Sequence, residues 1–194
     1  MTRLVRPDAE LLPAYTDAIR RGFEPSTHSG ADIAAAHLAA IARDPAAFLA
    51  GLDNLAGGGT ILLPDGRRVA RLPGFTRWII DRGFCGVIHF RWQPGTTELP
   101  AHVLGHVGYL IVAWRRGEGQ ATRALGLLLR EIATVGLPGV ELTTDPGNHA
   151  SIRVIEANGG ALAERFTRTR MHGGGPGLRF RIPLPGEAEQ GPQD

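Results

Sequence analysis

The chain has 194 residues, 43% of them hydrophobic, enough for one hydrophobic core and too few for two full-sized domains. Its formal net charge is +2 with the signs interspersed, which is no footprint for nucleic acid, and every one of the 21 basic residues is arginine. The absence of lysine excludes a phosphate loop closing on Gly-Lys-Ser/Thr, a Schiff-base lysine and any lysine nucleophile or base, leaving proton chemistry to Asp, Glu, His, Tyr, Ser or Cys.

The alternating residues 2–6 predict a short strand, and Pro7 and Asp8 a helix start for the segment from Ala9 to Arg21, which Gly22 ends. Pro25 to Gly30 reads as a loop. Asp32 is then expected to cap an alanine-rich helix to about Ala42, followed by a helical piece from Asp44-Pro45 toward Leu52. From Thr60 to Trp92 the pattern is that of an antiparallel meander, with a Pro64-Asp65-Gly66 turn and a tight Asp81-Arg82-Gly83 hairpin.

Gln93 to Gly105 is a polar loop, and His106 to Ala113 a central strand. The period then changes from two to 3.6, with Ala121, Leu125, Leu128, Leu129 and Ile132 on one helical face. A strand at Val140 to Thr144 and a helix from about Asn148 to Ala157 follow, closed by Asn158-Gly159-Gly160. Ala161 to Arg170 and Leu178 to Leu184 complete the strands. One domain over residues 1–184 is expected, with a disordered tail at 185–194.

A single cysteine, Cys85, can form no intrachain disulfide, and the longest apolar run, around Val107 to Trp114, falls far short of the ~20 residues of a membrane span. These features predict a soluble cytoplasmic protein without a membrane partner. His102 and His106 are four apart, but the first lacks an adjacent Glu and the pair crosses a strand start, so no metal is expected. Gly117 and Gly119 lack the third glycine of a dinucleotide fingerprint.

Chemistry concentrates where the central strand turns into the helix. The segment Arg115-Arg116-Gly117-Glu118-Gly119-Gln120-Ala121-Thr122 combines glycine-turn amides, a helix N-terminus and two arginines, which makes an anion site suited to a diphosphate. It is preceded by Gly105-His106-Val107-Gly108-Tyr109 and followed by Asn148-His149-Ala150-Ser151 and Val154-Ile155-Glu156-Ala157-Asn158-Gly159-Gly160. Over roughly Phe84 to Leu162 these ordered motifs resemble the GNAT superfamily of acetyl-CoA-dependent N-acetyltransferases, in particular its bacterial predicted-acetyltransferase members.

The resemblance implies an α/β (α+β) fold: a mixed, mostly antiparallel sheet whose central strands splay, flanked by helices. Acetyl-CoA as cosubstrate would lie in the splay, its pantetheine held by the main chain of Leu110, Ile111 and Val112 and its diphosphate by Arg115 to Thr122. Asn148 would reach the pantetheine and Ser151 the thiol end. The second partner would be a small-molecule or peptide amine, and a homodimer is compatible with the family. The position at which many members carry a tyrosine acid holds Ile155, so Ser151, water or no dedicated acid must serve. For the general base, Glu98 and His106 are the first choices, ahead of His89, His102, Glu141 and Tyr109. The alternative reading is a non-catalytic acyl-CoA-binding or sensor domain.

Overall fold

The computed structural model describes residues 1–26, 30–63 and 66–184. Part of the 25–30 loop, Pro64 and Asp65 of the expected turn, and the 185–194 tail therefore lie outside the described residues.

Strand β1 (Arg3–Val5) pairs with β5 (Gly74–Ile80), which also carries the two-residue β2 (Asp53–Asn54). β5 pairs with β6 (Phe84–Arg91), and β6 with β7 (Val107–Ile111). A second sheet places β10 (Pro176–Pro183) between β8 (Gly139–Thr144) and β9 (Ala161–Thr167). Every described ladder is antiparallel. The meander expected over 60–92 is divided, because β3 (Thr60–Leu62) and β4 (Arg68–Ala70) pair only with each other.

Helix α1 (Leu12–Arg20) starts later than Ala9, because Asp8 closes a turn first: its carboxylate accepts from the Leu11 N–H at 2.8 Å and its carbonyl from the Leu12 N–H at 3.1 Å. In α2 (Gly30–Arg43) Asp32 lies inside the first turn rather than capping it. Asp44 does cap α3 (Pro45–Ala50), accepting from the Ala47 N–H at 2.9 Å. α4 (Gln120–Glu131) joins β7 to β8, and α5 (His149–Glu156) follows β8.

Period-two alternation divides the core over the two faces of the first sheet. Trp78, Ile80 and Val87 pack with α1, α2 and α3, while Ile79, Ile88 and Phe90 pack with α4, α5 and the second sheet. Tyr15 anchors the first layer, stacking on Trp78 at 4.9 Å between ring centroids with its hydroxyl 2.6 Å from His37 Nδ1. Ile155, at the position of the missing tyrosine, belongs to the other core layer and is 1% exposed.

Buried imidazoles make this fold acid-sensitive. Burial lowers the His89 pKa to about 4, and His37, His102 and His106 shift in the same direction, also through burial first. Below about pH 6.5 the unfolded chain binds protons that the folded chain refuses, so stability declines between pH 6.5 and 4. Melting temperature measured over that range should fall steadily, and His89→Gln should flatten the slope.

Candidate active site

Gly119 is the N-cap of α4, its φ of 74° giving the left-handed turn that a glycine adopts without strain, and Gly117 at 79° does the same two residues earlier. The first-turn N–H groups of α4 have no intrahelical acceptor and carry the positive end of the helix dipole. Arg115 is spent on the framework: its Nε donates to Glu118 at 2.9 Å and its Nη1 to the Asp81 carbonyl at 2.9 Å. Arg116 is exposed and uses Nε on the Ile111 carbonyl at 3.1 Å, leaving its terminal nitrogens to reach an anion.

A buried network fixes the turn from beneath. Gln120, 2% exposed, accepts from Thr2 Oγ1 at 2.7 Å and donates to Asp81 at 3.2 Å, and Asp81 also takes the Met1 amino group at 2.8 Å. The Met1 hydrogen bond, then that of Gln120, lowers the Asp81 pKa to about 2, so this anchor stays charged above that pH.

β7 and β8 meet at one end only. The His106 N–H donates to the Glu141 carbonyl at 2.8 Å, and the Glu141 N–H returns a bond to His106 Nδ1 at 3.0 Å. Gly105 permits this approach, since a Cβ there would stand 2.9 Å from the Glu141 carbonyl oxygen. Beyond that contact the strands belong to different sheets. The Arg91 N–H to His106 carbonyl and Val112 N–H to Cys85 carbonyl bonds set the ladder's phase. By alternation the main-chain groups of Val107, Tyr109 and Ile111 then face away from β6, into the gap.

A cavity of about 1070 Å³ fills the gap and runs to the glycine turn. Among its lining are Leu110, Ile111, Arg115, Arg116, Gly117, Gly119, Gln120, Ala121, Thr122, Asn148 and Ser151, which the resemblance assigns to the cosubstrate. Two expected ligands lie off it. Val112 is fully buried with its N–H in the β6 ladder, and Glu118 turns to Arg115. The main-chain groups of Leu110 and Val112 point at β6, so those that open on the gap are the ones of Tyr109 and Ile111.

Asn148 both caps α5, its Oδ1 accepting from the Ser151 N–H at 3.1 Å, and lines the cavity. Ser151 meets Tyr109, whose hydroxyl lies 3.2 Å from Ser151 Oγ. Burial raises the Tyr109 pKa, so the hydroxyl stays a donor. The expected bases are placed elsewhere: Glu98 is exposed in its loop and does not line the cavity. His106 is 1% exposed, its Nδ1 occupied by Glu141, so it braces the two sheets and does not line the cavity either. His89 is tied to Thr76 Oγ1 at 2.9 Å. His102 does line the cavity, and burial lowers its pKa, so it is neutral at pH 7. Sequence reasoning missed Arg91 and Arg168, which also line it; neither stands in a motif.

Among the described residues, no group of three or more His, Cys, Asp or Glu side chains is placed to hold a metal ion, and no helix is long and apolar enough to cross a membrane.

Residues 30–161 match the model of the acetyltransferase (GNAT) domain family. No curated protein matches in sequence. Among solved structures, the RimL ribosomal L7/L12 alpha-N-protein acetyltransferase in complex with coenzyme A is 12% identical, with a TM-score of 0.58 and 94% of each chain covered. The ribosomal-protein-S18-alanine N-acetyltransferase from Escherichia coli is also 12% identical, covers 100% of both chains and has a TM-score of 0.56. The microcin C7 self immunity acetyltransferase in complex with acetyl-CoA and AMP is 10% identical, with a TM-score of 0.55 over 94% of this chain and 92% of that one. At such identities the likeness is one of fold.

Proposed function

The chain belongs to the GNAT acetyltransferase family, and from that premise we propose that it transfers the acetyl group of acetyl-CoA to a primary amine of a small molecule or peptide, by direct attack in a ternary complex. One observation carries the reading: a single cavity joins an anion-binding turn to a Tyr109–Ser151 pair through the gap between β7 and β8. Its volume lies just above the roughly 300–1,000 Å³ range of drug-sized ligand sites, which suits an extended cosubstrate.

Arg116 and the amides of Gly117 and of the first turn of α4 hold the diphosphate. Main-chain groups of Tyr109 and Ile111 pair with the pantetheine as a neighbouring strand would, and a β7 N–H steadies the negative charge that develops on the acetyl oxygen. The amine nitrogen attacks the carbonyl carbon; a C–N bond forms and the C–S bond breaks. Ser151 Oγ gives its proton to the departing sulfur, steadied by the hydrogen bond that the Tyr109 hydroxyl donates to it, and regains one from solvent. The proton lost by the amine passes to His102, the neutral imidazole on the cavity wall. Such a protein works in the cytoplasm, and a buried free Cys85 fits a reducing compartment.

The test is thiol release from acetyl-CoA across a panel of amines. The wild type should turn over; Ser151→Ala should lower kcat roughly 10- to 100-fold and Tyr109→Phe about 10-fold, less than a full acid effect because a thiol of pKa ~8.5 already leaves tolerably. Unchanged kcat in both variants would remove the pair from the mechanism.

A further inference from the structure

Arg91 ends β6, on the sheet face that packs with α1, α2 and α3. Across the ladder it faces His106, and the next β7 residue on the same face is Gly108, which stands opposite His89 and where a Cβ would meet only Arg91 Nη2, at 3.7 Å, so the space over Gly108 is open to the guanidinium. Arg91 and Gly108 both line the cavity. Of the other arginines on that wall, Arg115 is held by Glu118 and the Asp81 carbonyl and Arg168 by Asp145, Arg116 stands at the glycine turn with its Nε on the Ile111 carbonyl, and Arg153 is exposed on α5. Among the described residues nothing answers the Arg91 guanidinium; only its backbone N–H is bonded, to His106.

We propose that Arg91 and the space over Gly108 form an acceptor subsite for a carboxylate, selecting amines that carry this anion a few bonds from the amino group. The inference rests on the acetyl-transfer reading above and names its substrate class. Guanidinium and carboxylate match in a two-pronged hydrogen bond, and a half-buried cation without a fixed counter-charge gains most from a ligand that brings one. Burial alone lowers the Arg91 pKa, with no acidic neighbour opposing it. His89 and His106, which feel its charge, are held neutral, so Arg91 supplies the local positive charge at any ordinary pH. The one carboxylate on the cavity wall among the described residues, Asp145, is engaged by Arg168, so a polycationic acceptor finds no free anion there. Gly108 directly precedes Tyr109 in β7, about 3.3 Å along the strand, so the subsite adjoins the residue that meets Ser151.

The experiment compares free amino acids with their carboxamides as acceptors in thiol release, for the wild type, Arg91→Gln and Arg91→Met, with acetyl-CoA affinity measured calorimetrically on the same proteins. The wild type should favour carboxylates at least tenfold in kcat/KM. Both variants should bring that ratio close to one while acetyl-CoA Kd stays within twofold, which shows a folded cofactor site. Carboxamides used as well as carboxylates by the wild type, or a preference that survives both substitutions, overturns the subsite. Thiol release with unmodified amines alone also overturns it and leaves the acetyl-transfer reading standing. Acetyl-CoA binding without thiol release for any amine contradicts that reading and the subsite with it.

Discussion

Gly119→Asp should weaken acetyl-CoA binding at least 100-fold while leaving the fold intact. Aspartate tolerates the left-handed conformation at φ 74° better than most residues and is a favoured helix N-cap. Its carboxylate at that position accepts from the amides of Ala121 or Thr122, the donors the diphosphate needs, and adds a like charge beside it. A factor of 100 corresponds to about 2.8 kcal/mol, within reach of one blocked charge-assisted hydrogen bond together with the repulsion. The Cβ would stand 2.8 Å from Arg123 Nη1, the movable end of a side chain, so the helix need not shift. Calorimetry gives the affinity and a melting curve the fold; an unchanged Kd would show that the diphosphate rests elsewhere.

Gly86→Ala should be the most damaging small substitution in the first sheet. Gly86 has φ 154°, and a Cβ there would fall 2.0 Å from the Leu110 carbonyl oxygen and 3.0 Å from Ile111 Cα. Both are backbone atoms of β7, so relief requires moving the strand that forms one wall of the cavity. A cost of about 3 kcal/mol or more is expected, lowering Tm by roughly 6–12 °C in a chain of this size. Acetyl-CoA affinity should fall with it, because the gap between β7 and β8 changes width. Gly83→Ala supplies the comparison: its φ of 114° is also strained, but nothing lies within 4 Å, so it should cost about 1 kcal/mol and spare the cosubstrate site.

Much of the site was legible because local rules and motif order agreed. The strand, glycine turn and helix around Arg116 to Thr122 follow from period and turn chemistry, and Asn148 had to cap the helix that follows it. What stayed hidden depends on contacts between distant segments. By alternation His106 shares a face with Gly108 and Leu110, yet its ring turns across to Glu141 and braces the sheets, since nothing local says which strand arrives there. Glu98 was attractive for its place in the loop before the strand, but that loop leaves it in solvent.

The division of the 60–92 strands was unreadable for a related reason, as a hairpin's turn signals are the same whether or not it joins the next strand. Tyr109 and Ser151 lie 42 residues apart, and only the packing of α5 on β8 and α4 brings their hydroxyls together. Arg91 carried no signal beyond ending a strand. Its importance lies in the partner it lacks, which only the surrounding structure can reveal.

The most direct test is a crystal structure with coenzyme A bound. The diphosphate should be within hydrogen-bond distance of the Gly119 to Thr122 amides and Arg116, the pantetheine between β7 and β8, and the sulfur beside Ser151 Oγ. A diphosphate held away from the α4 N-terminus, or a sulfur pointing away from the Tyr109–Ser151 pair, would contradict the proposed site and its chemistry.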